Sequence, residues 1–234
     1  MIKRMLLALL LATPLLADAA VPHPYTARYE VRRNGDPLGT ATVSFRALGN
    51  GRYELTSSTV GTEGLASIAG AAVDERSVLS WSAGQPETVA YSYRQKLAWK
   101  TKTRGFQVDA ASGRIDSQDK DQHFSPEYRR GVLDRNAITV AIMNDLAAGK
   151  SGDLHYLVPD KDELQTHVYR AAAPGRLDTA LGEQRVIRVE RVRESANGRS
   201  TTLWMGQDKN FVPLRIEQKE PDGQSIEMRI VSLR

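Results

Sequence analysis

The sequence predicts a mainly β fold: a strongly curved antiparallel sheet, or incomplete β-barrel, with one central amphipathic helix. Three observations carry that prediction. Apolar and polar residues alternate with period two at both ends of the chain, dense turn chemistry separates the alternating runs, and one segment alone has helical spacing.

In chain order, the first element is a leader. Lys3 and Arg4 form a charged start, Met5 to Leu16 is an apolar run too short for a bilayer span, and Ala17-Asp18-Ala19 offers a small-residue cleavage site. This reads as a signal peptide over 1–19, with one β-rich domain over 20–234. With no Cys in the chain, neither a lipid anchor at the cleavage site nor a disulfide is expected. The mature chain is therefore expected to be soluble and periplasmic.

The first strand alternates Tyr25, Ala27, Tyr29 and Val31 with Thr26, Arg28, Glu30 and Arg32. Asn34-Gly35-Asp36-Pro37 turns the chain, and the next strand buries Ala41, Val43 and Phe45. Gly49-Asn50-Gly51 turns it again into Tyr53, Leu55 and Ser57. Further strands are expected over 74–81, 86–94, 96–103, 105–110, 153–159, 163–172, 185–194 and 199–206. The helix is expected over 134–148: Asp134 is its N-cap, Ile138, Ile142 and Leu146 stack at i, i+4 and i+8, and Gly149 stops it. A shorter turn starts at Ser125-Pro126-Glu127.

The closing hairpin has a register set by parity. A two-residue turn at Asp222-Gly223 would set Lys219 opposite Ile226 and mix the faces. A three-residue loop sets Ile216 opposite Met228 and Leu214 opposite Ile230, with Pro221 first in the turn and Gly223 left-handed.

Composition excludes some partners. The formal net charge is only +4 and the cations are scattered, so no nucleic-acid footprint is present. An outer-membrane barrel needs aromatic girdles and an apolar outer face. Here aromatics are 6% of residues and the outward positions are Arg, Glu, Lys and Thr.

Three stretches together resemble a known family: YEVRRNGDPLGTATVSF at the start, GVLDRNAITVAIMNDL in the middle, and TLWMGQDKNFVPLRIEQKEPDGQSIEMRIVSL at the end. They are similar to the bacterial exported proteins called domain of unknown function 3108. That resemblance implies a curved antiparallel sheet in the periplasm and brings no catalytic residue. The closing Pro-Leu-Arg-Ile hairpin is also similar, more weakly, to one in the periplasmic lipoprotein carriers, whose half-barrel holds acyl chains under a helical lid.

No nucleotide, zinc-protease or serine-hydrolase motif is present. If the chain turned about Lys161, His155 and His167 would be cross-strand neighbours and could hold zinc with Asp160 or Glu163, although no third ligand is fixed by spacing. The bland alternative is two polar residues on a solvated hairpin. Asp116, Asp119 and Asp121 lack the Gly and closing Glu of a calcium loop and read as a solvated loop. Trp81, Trp99 and Trp204 read as core, or else as pocket lining. No metal and no cofactor is expected.

The stretch GLASIAGAAV, Gly64 to Val73, has no charge and is mostly Gly and Ala. It is either a connector tucked against the sheet or an apolar flap over the concavity. The flap reading makes Leu65, Ile68 and Val73, with Ile138 and Ile142 of the helix, the candidate ligand-binding residues. Three function classes follow: a module that binds a lipid-like apolar or amphipathic molecule, a cell-envelope assembly factor that contacts another protein, and a hydrolase centred on the two His. The first two turn on whether the helix fills the concavity.

Overall fold

The structure is a computed structural model that describes residues 21–193 and 198–234. The leader expected over 1–19 lies outside the described residues. The elements in chain order are β1 (Tyr25–Arg33), β2 (Asp36–Gly49), β3 (Arg52–Gly61), α1 (Gly64–Ile68), β4 (Ala72–Ser82), β5 (Gln85–Leu97), β6 (Lys100–Asp109), β7 (Arg114–Asp119), β8 (Gln122–Phe124), α2 (Ile138–Ala147), β9 (Gly152–Asp160), β10 (Glu163–Thr179), β11 (Gly182–Val192), β12 (Ser200–Gly206), β13 (Pro213–Lys219) and β14 (Ser225–Leu233).

All fourteen strands form one antiparallel sheet, in the order β8-β7-β6-β5-β4-β3-β2-β1-β14-β13-β12-β11-β10-β9. Two meanders meet where β1 pairs with β14, so the first and last strands lie in the middle of the sheet. The free edges are β8 and β9. The chain between them carries α2 and stitches the gap. Tyr128 N donates to Gly113 O at 2.9 Å and Ile115 N to Pro126 O at 3.0 Å. Further on, Thr88 N donates to Val132 O at 2.9 Å and Leu133 N to Leu157 O at 2.8 Å. Those bonds satisfy backbone groups that open sheet edges would otherwise present.

The inner face follows the alternation. Tyr25, Ala27, Tyr29, Val31, Ala41, Phe45 and Leu55 are all buried. Phe45 stacks on Tyr53 at 5.6 Å between centroids, and Trp81 meets Tyr53 edge-on at 5.1 Å. Gly39 is demanded by packing: a Cβ there would sit 2.0 Å from Val60 O of the paired strand. The closing hairpin has the register that parity requires, with Ile216 opposite Met228. Gly223 N donates to Glu220 O at 3.0 Å, and Gly223 has φ +85°.

The outer face departs from a simple polar surface. Glu54 is 4% exposed because Arg46 and Arg76 fold over it, at 2.6 Å each. Burial pushes its carboxyl up, but the two guanidinium groups win and hold it below the ordinary carboxylate value. Glu227 is covered in the same way by Arg215 and Arg229.

Several sequence expectations are corrected. The candidates 96–103 and 105–110 are one strand, β6, because the chain turns at Ala98, which takes φ 50°. The aspartate run is mostly strand β7: Ile115 points inward and is fully buried, and Asp119 pairs with Arg104 at 3.1 Å. The strand expected over 163–172 continues to Thr179 past a bulge between Ala171 and Pro174.

The regular helix begins at Ile138, not at 134. Asp134 still organises its entry: its backbone carbonyl accepts from Ile138 N at 3.2 Å, and its carboxylate Oδ1 accepts from Ala137 N at 2.8 Å and Asn136 N at 2.9 Å. Ile138, Val140, Ile142, Met143 and Leu146 are all buried. At about 1.5–3 kcal/mol per large apolar side chain, that burial outweighs the modest helix propensity of a β-branched sequence. Asp145 locks the far end, accepting from Tyr156 Oη at 2.9 Å and Lys150 Nζ at 2.7 Å.

Candidate functional site

Helix α2 fills one end of the concavity and leaves the other open. Beyond its first turns lies a cavity of about 1110 Å³, walled by the inner face of the sheet and bounded at its rim by α1. One side of it is apolar, with Tyr29, Val43, Leu55, Ile138, Ile142 and Leu203 among the lining residues. The other side is cationic. Arg104 of β6, Arg135 ahead of α2, and Arg191 and Arg193 at the end of β11 all face it, with His167 and Glu75 beside them.

The cationic side is built by strand parity. Ile187, Val189 and Arg191 share one face of β11, and Arg193 continues it just beyond the strand. Val189 is fully buried, so the two guanidinium groups continue an inward face. His167 and Tyr169 share the inward face of β10 and are 4% and 7% exposed. Arg104 lies opposite Tyr93, and Tyr93 opposite Glu75, on the inward faces of β4 to β6.

Arg135 joins the two halves. It is positioned by its neighbour Asp134, which is 1% exposed and accepts from Ser77 Oγ and Thr88 Oγ1, each at 2.9 Å. Burial pushes the Asp134 carboxyl up to about 6, against the hydrogen bonds from Ala137, Thr88 and Ser77. Asn136 Nδ2 donates to Ser77 Oγ at 3.0 Å, so the residues on either side of Arg135 are held by one buried network.

Charge compensation at this wall is incomplete. Among the described residues, buried His167 Nδ1, Arg191 Nε and Arg193 Nε have no hydrogen-bond partner. Burial, then Arg191, Arg135 and Arg193, push the His167 imidazole down to about 4, so it is neutral at pH 7. Arg191 is itself lowered, first by burial and also by Arg193 and Arg135. Arg104 is paired with Asp119 at 3.1 Å, while Glu75, beside the arginines, is raised by burial and accepts Tyr91 Oη at 2.6 Å. Unpaired buried polar groups are costly, and clustered cations raise the cost. An anion placed among them would relieve it.

Of the candidate ligand-binding residues, Val73, Ile138 and Ile142 line the cavity. Ile68 does not: it is 84% exposed and points to solvent. The Leu65 side chain lies outside the described residues. The small residues of the stretch do allow close approach. A Cβ on Gly61 would come within 2.7 Å of Ala66 Cβ, and Ala66 and Ala69 face the cavity.

The two-His site is overturned by register. The β9–β10 turn is centred between Lys161 and Asp162, with Glu163 opposite Asp160. His167 therefore faces Tyr156 while His155 faces Val168, and the imidazoles lie on opposite faces of the sheet. Lys161 takes φ 56° to make that turn, which its residue type does not announce. Among the described residues no group of three or more His, Cys, Asp or Glu could hold a metal ion. Of the three Trp, Trp81 packs in the aromatic core, Trp204 lies under the Arg215 guanidinium at 4.5 Å, and Trp99, expected in core or pocket, is 89% exposed.

A barrel-like β sheet left open along one side and enclosing a cavity is the class that fold and site define. More particularly, the chain belongs to the family described as "Protein of unknown function (DUF3108)", whose model matches residues 25–231. Among solved structures it is similar to a β-barrel-like protein of domain of unknown function DUF1849 from Brucella abortus. The identity is 11%, with 91% of this chain and 97% of that chain covered and a TM-score of 0.58. A second likeness is to a putative outer membrane lipoprotein-sorting protein domain from Vibrio parahaemolyticus, at 10% identity, 90% and 84% coverage and a TM-score of 0.24. No curated protein matches the chain at a meaningful level. Among the described residues no helix is long and apolar enough to cross a membrane.

Proposed function

We propose that the protein is a periplasmic carrier or sensor that holds an amphipathic, lipid-like molecule, with an acyl chain against the apolar wall and an anionic head against the arginines. The observation that carries this reading is the two-sided cavity. Its volume, about 1110 Å³, exceeds the roughly 300–1,000 Å³ of ordinary small-molecule sites. Its apolar side suits a chain, and its cationic side holds buried nitrogens without partners. Charge-assisted hydrogen bonds to guanidinium groups are the strong ones, and arginine recognises carboxylate and phosphate in a bidentate way.

The signal-peptide pattern supports export, and the absence of Cys supports release from the membrane after cleavage. The test is native mass spectrometry of protein purified without detergent from its own cell envelope. A retained adduct with the mass of an acyl lipid supports the reading. A bare chain from material never exposed to detergent counts against it.

A further inference from the structure

Two exposed loops at the cavity rim display the largest apolar side chains that face solvent. Ile68 at the end of α1 is 84% exposed, Trp99 in the β5–β6 turn is 89% exposed, and Leu97 beside it is 51% exposed. They come from separate segments that are clamped together: Ala98 N donates to Ala69 O at 2.7 Å. The tip is therefore one feature made of two loops. A monomer gains nothing in water by presenting Trp and Ile side by side at such exposure.

The surroundings say what covers the tip. Lys96, Lys100 and Lys102 lie on the two strands that carry Trp99, and Lys120 joins them through its backbone bond to Thr103 O at 3.0 Å. The acidic groups at this end are Glu63, Asp74, Asp119 and Asp121; Asp74 accepts from Ser58 Oγ at 2.7 Å, and Asp119 is taken by Arg104. Among the described residues none of these four lysines has an ion-pair partner. An apolar tip carrying Trp, ringed by Lys, is the pattern of an interfacial anchor on an anionic bilayer. Trp sits at the headgroup level, the aliphatic side chains reach the acyl boundary, and each Lys gains from the surface potential.

We infer that this tip docks on the surface of an anionic lipid bilayer. The geometry adds a consequence. Ala66, Ala69, Lys96 and Leu97 belong both to the tip and to the cavity lining, so a docked molecule turns its cavity mouth toward the lipid. The docking itself does not depend on what fills the cavity.

The test uses the mature chain and flotation with two vesicle types, phosphatidylcholine alone and phosphatidylcholine with admixed phosphatidylglycerol. The expected result is binding to the anionic vesicles, weakened by salt, with a blue shift of Trp emission from Trp99. Ile68→Ser with Trp99→Ser is expected to lower the vesicle partition coefficient about a hundredfold, roughly tenfold for each large side chain withdrawn, at an unchanged melting temperature. Arg191→Ala with Arg193→Ala, inside the cavity, should leave docking intact even where it abolishes ligand uptake. No flotation, equal flotation of the tip variant, or flotation lost only in the cavity variant overturns the inference. So does a dimer that the tip variant dissolves without any vesicle binding, which would make the patch an interface between copies.

Discussion

Asp134→Ala tests how the cavity's edge is held. The wild-type carboxylate accepts four hydrogen bonds, from Ser77 Oγ and Thr88 Oγ1 at 2.9 Å, Asn136 N at 2.9 Å and Ala137 N at 2.8 Å. It thereby ties β4 and β5 to the entry of α2. Removing it strands two buried hydroxyls and two amides, and with bonds to a charged group worth about 1.5–3 kcal/mol each before desolvation is recovered, the net cost at pH 7 should be about 2–4 kcal/mol. The pH dependence has a definite sign. The folded-state pKa is raised from 3.8 to about 6, so the folded protein holds this proton more tightly than the unfolded chain does. The proton-linked part of the group's contribution is therefore fully present below 3.8 and lost as pH rises through about 6, which leaves the hydrogen-bond part at pH 7. The difference between the two values corresponds to about 3 kcal/mol in all, and most of it falls between pH 4 and pH 7. Urea unfolding of wild type and variant at pH 4, 5, 6 and 7, followed by Trp fluorescence, cancels the other titrating groups in the difference. The variant's deficit should be largest at pH 4 and shrink toward pH 7. A deficit that stays flat across this range, or that grows with pH, would refute burial as the dominant influence on this carboxyl. A deficit under about 0.5 kcal/mol would refute the network as a tether, since that is the range of ordinary surface changes.

Other outcomes follow from the same geometry. Ile68→Asp should leave stability within about 0.5 kcal/mol of wild type, because an 84% exposed side chain loses no core contact, and it should leave uptake of a soluble acyl probe unchanged. A large loss in either measurement would place Ile68 inside. Gly39→Ala should cost several kcal/mol or prevent folding, since the new Cβ meets Val60 O at 2.0 Å on the paired strand, and chemical denaturation reads this directly. Affinity for an anionic amphiphile should rise as pH falls below neutrality, because an anion beside His167 favours the protonated imidazole, whose free-state value lies near 4. Titrations at pH 5 and pH 7 showing equal affinity would remove His167 from the head site.

Much of the fold was legible because one face of each strand had to be apolar. Tyr25 to Val31 and the closing hairpin show this most cleanly, and in the hairpin turn parity alone settled the register. Legibility failed where a turn used an unmarked residue. Lys161 in a left-handed conformation shifted the β9–β10 register by one and sent His155 and His167 to opposite faces. It failed again at β7, whose single buried residue, Ile115, is flanked by residues that read as a solvated loop. The cationic wall was missed because its members come from β6, the α2 approach and β11; β6 and β11 lie near opposite ends of the sheet order, and only the curl of the sheet sets them around one cavity. One signal was present: Arg191 in β11 and Arg193 just beyond it continue the parity of buried Val189, which puts charge on an inward face. Ile138 and Ile142 were legible from helical spacing, but that spacing says nothing about how far along the concavity the helix reaches.

The central claim is that the cavity distinguishes an anionic amphiphile from a neutral one. Isothermal titration of an alkyl phosphate monoester and of the alcohol of equal chain length, into wild type and into Arg191→Ala, measures that directly. The phosphate should bind wild type at least about tenfold more tightly than the alcohol, and Arg191→Ala should remove most of that preference while leaving alcohol binding unchanged. Equal affinity of wild type for the two molecules, or a preference that survives the loss of Arg191, would contradict the account.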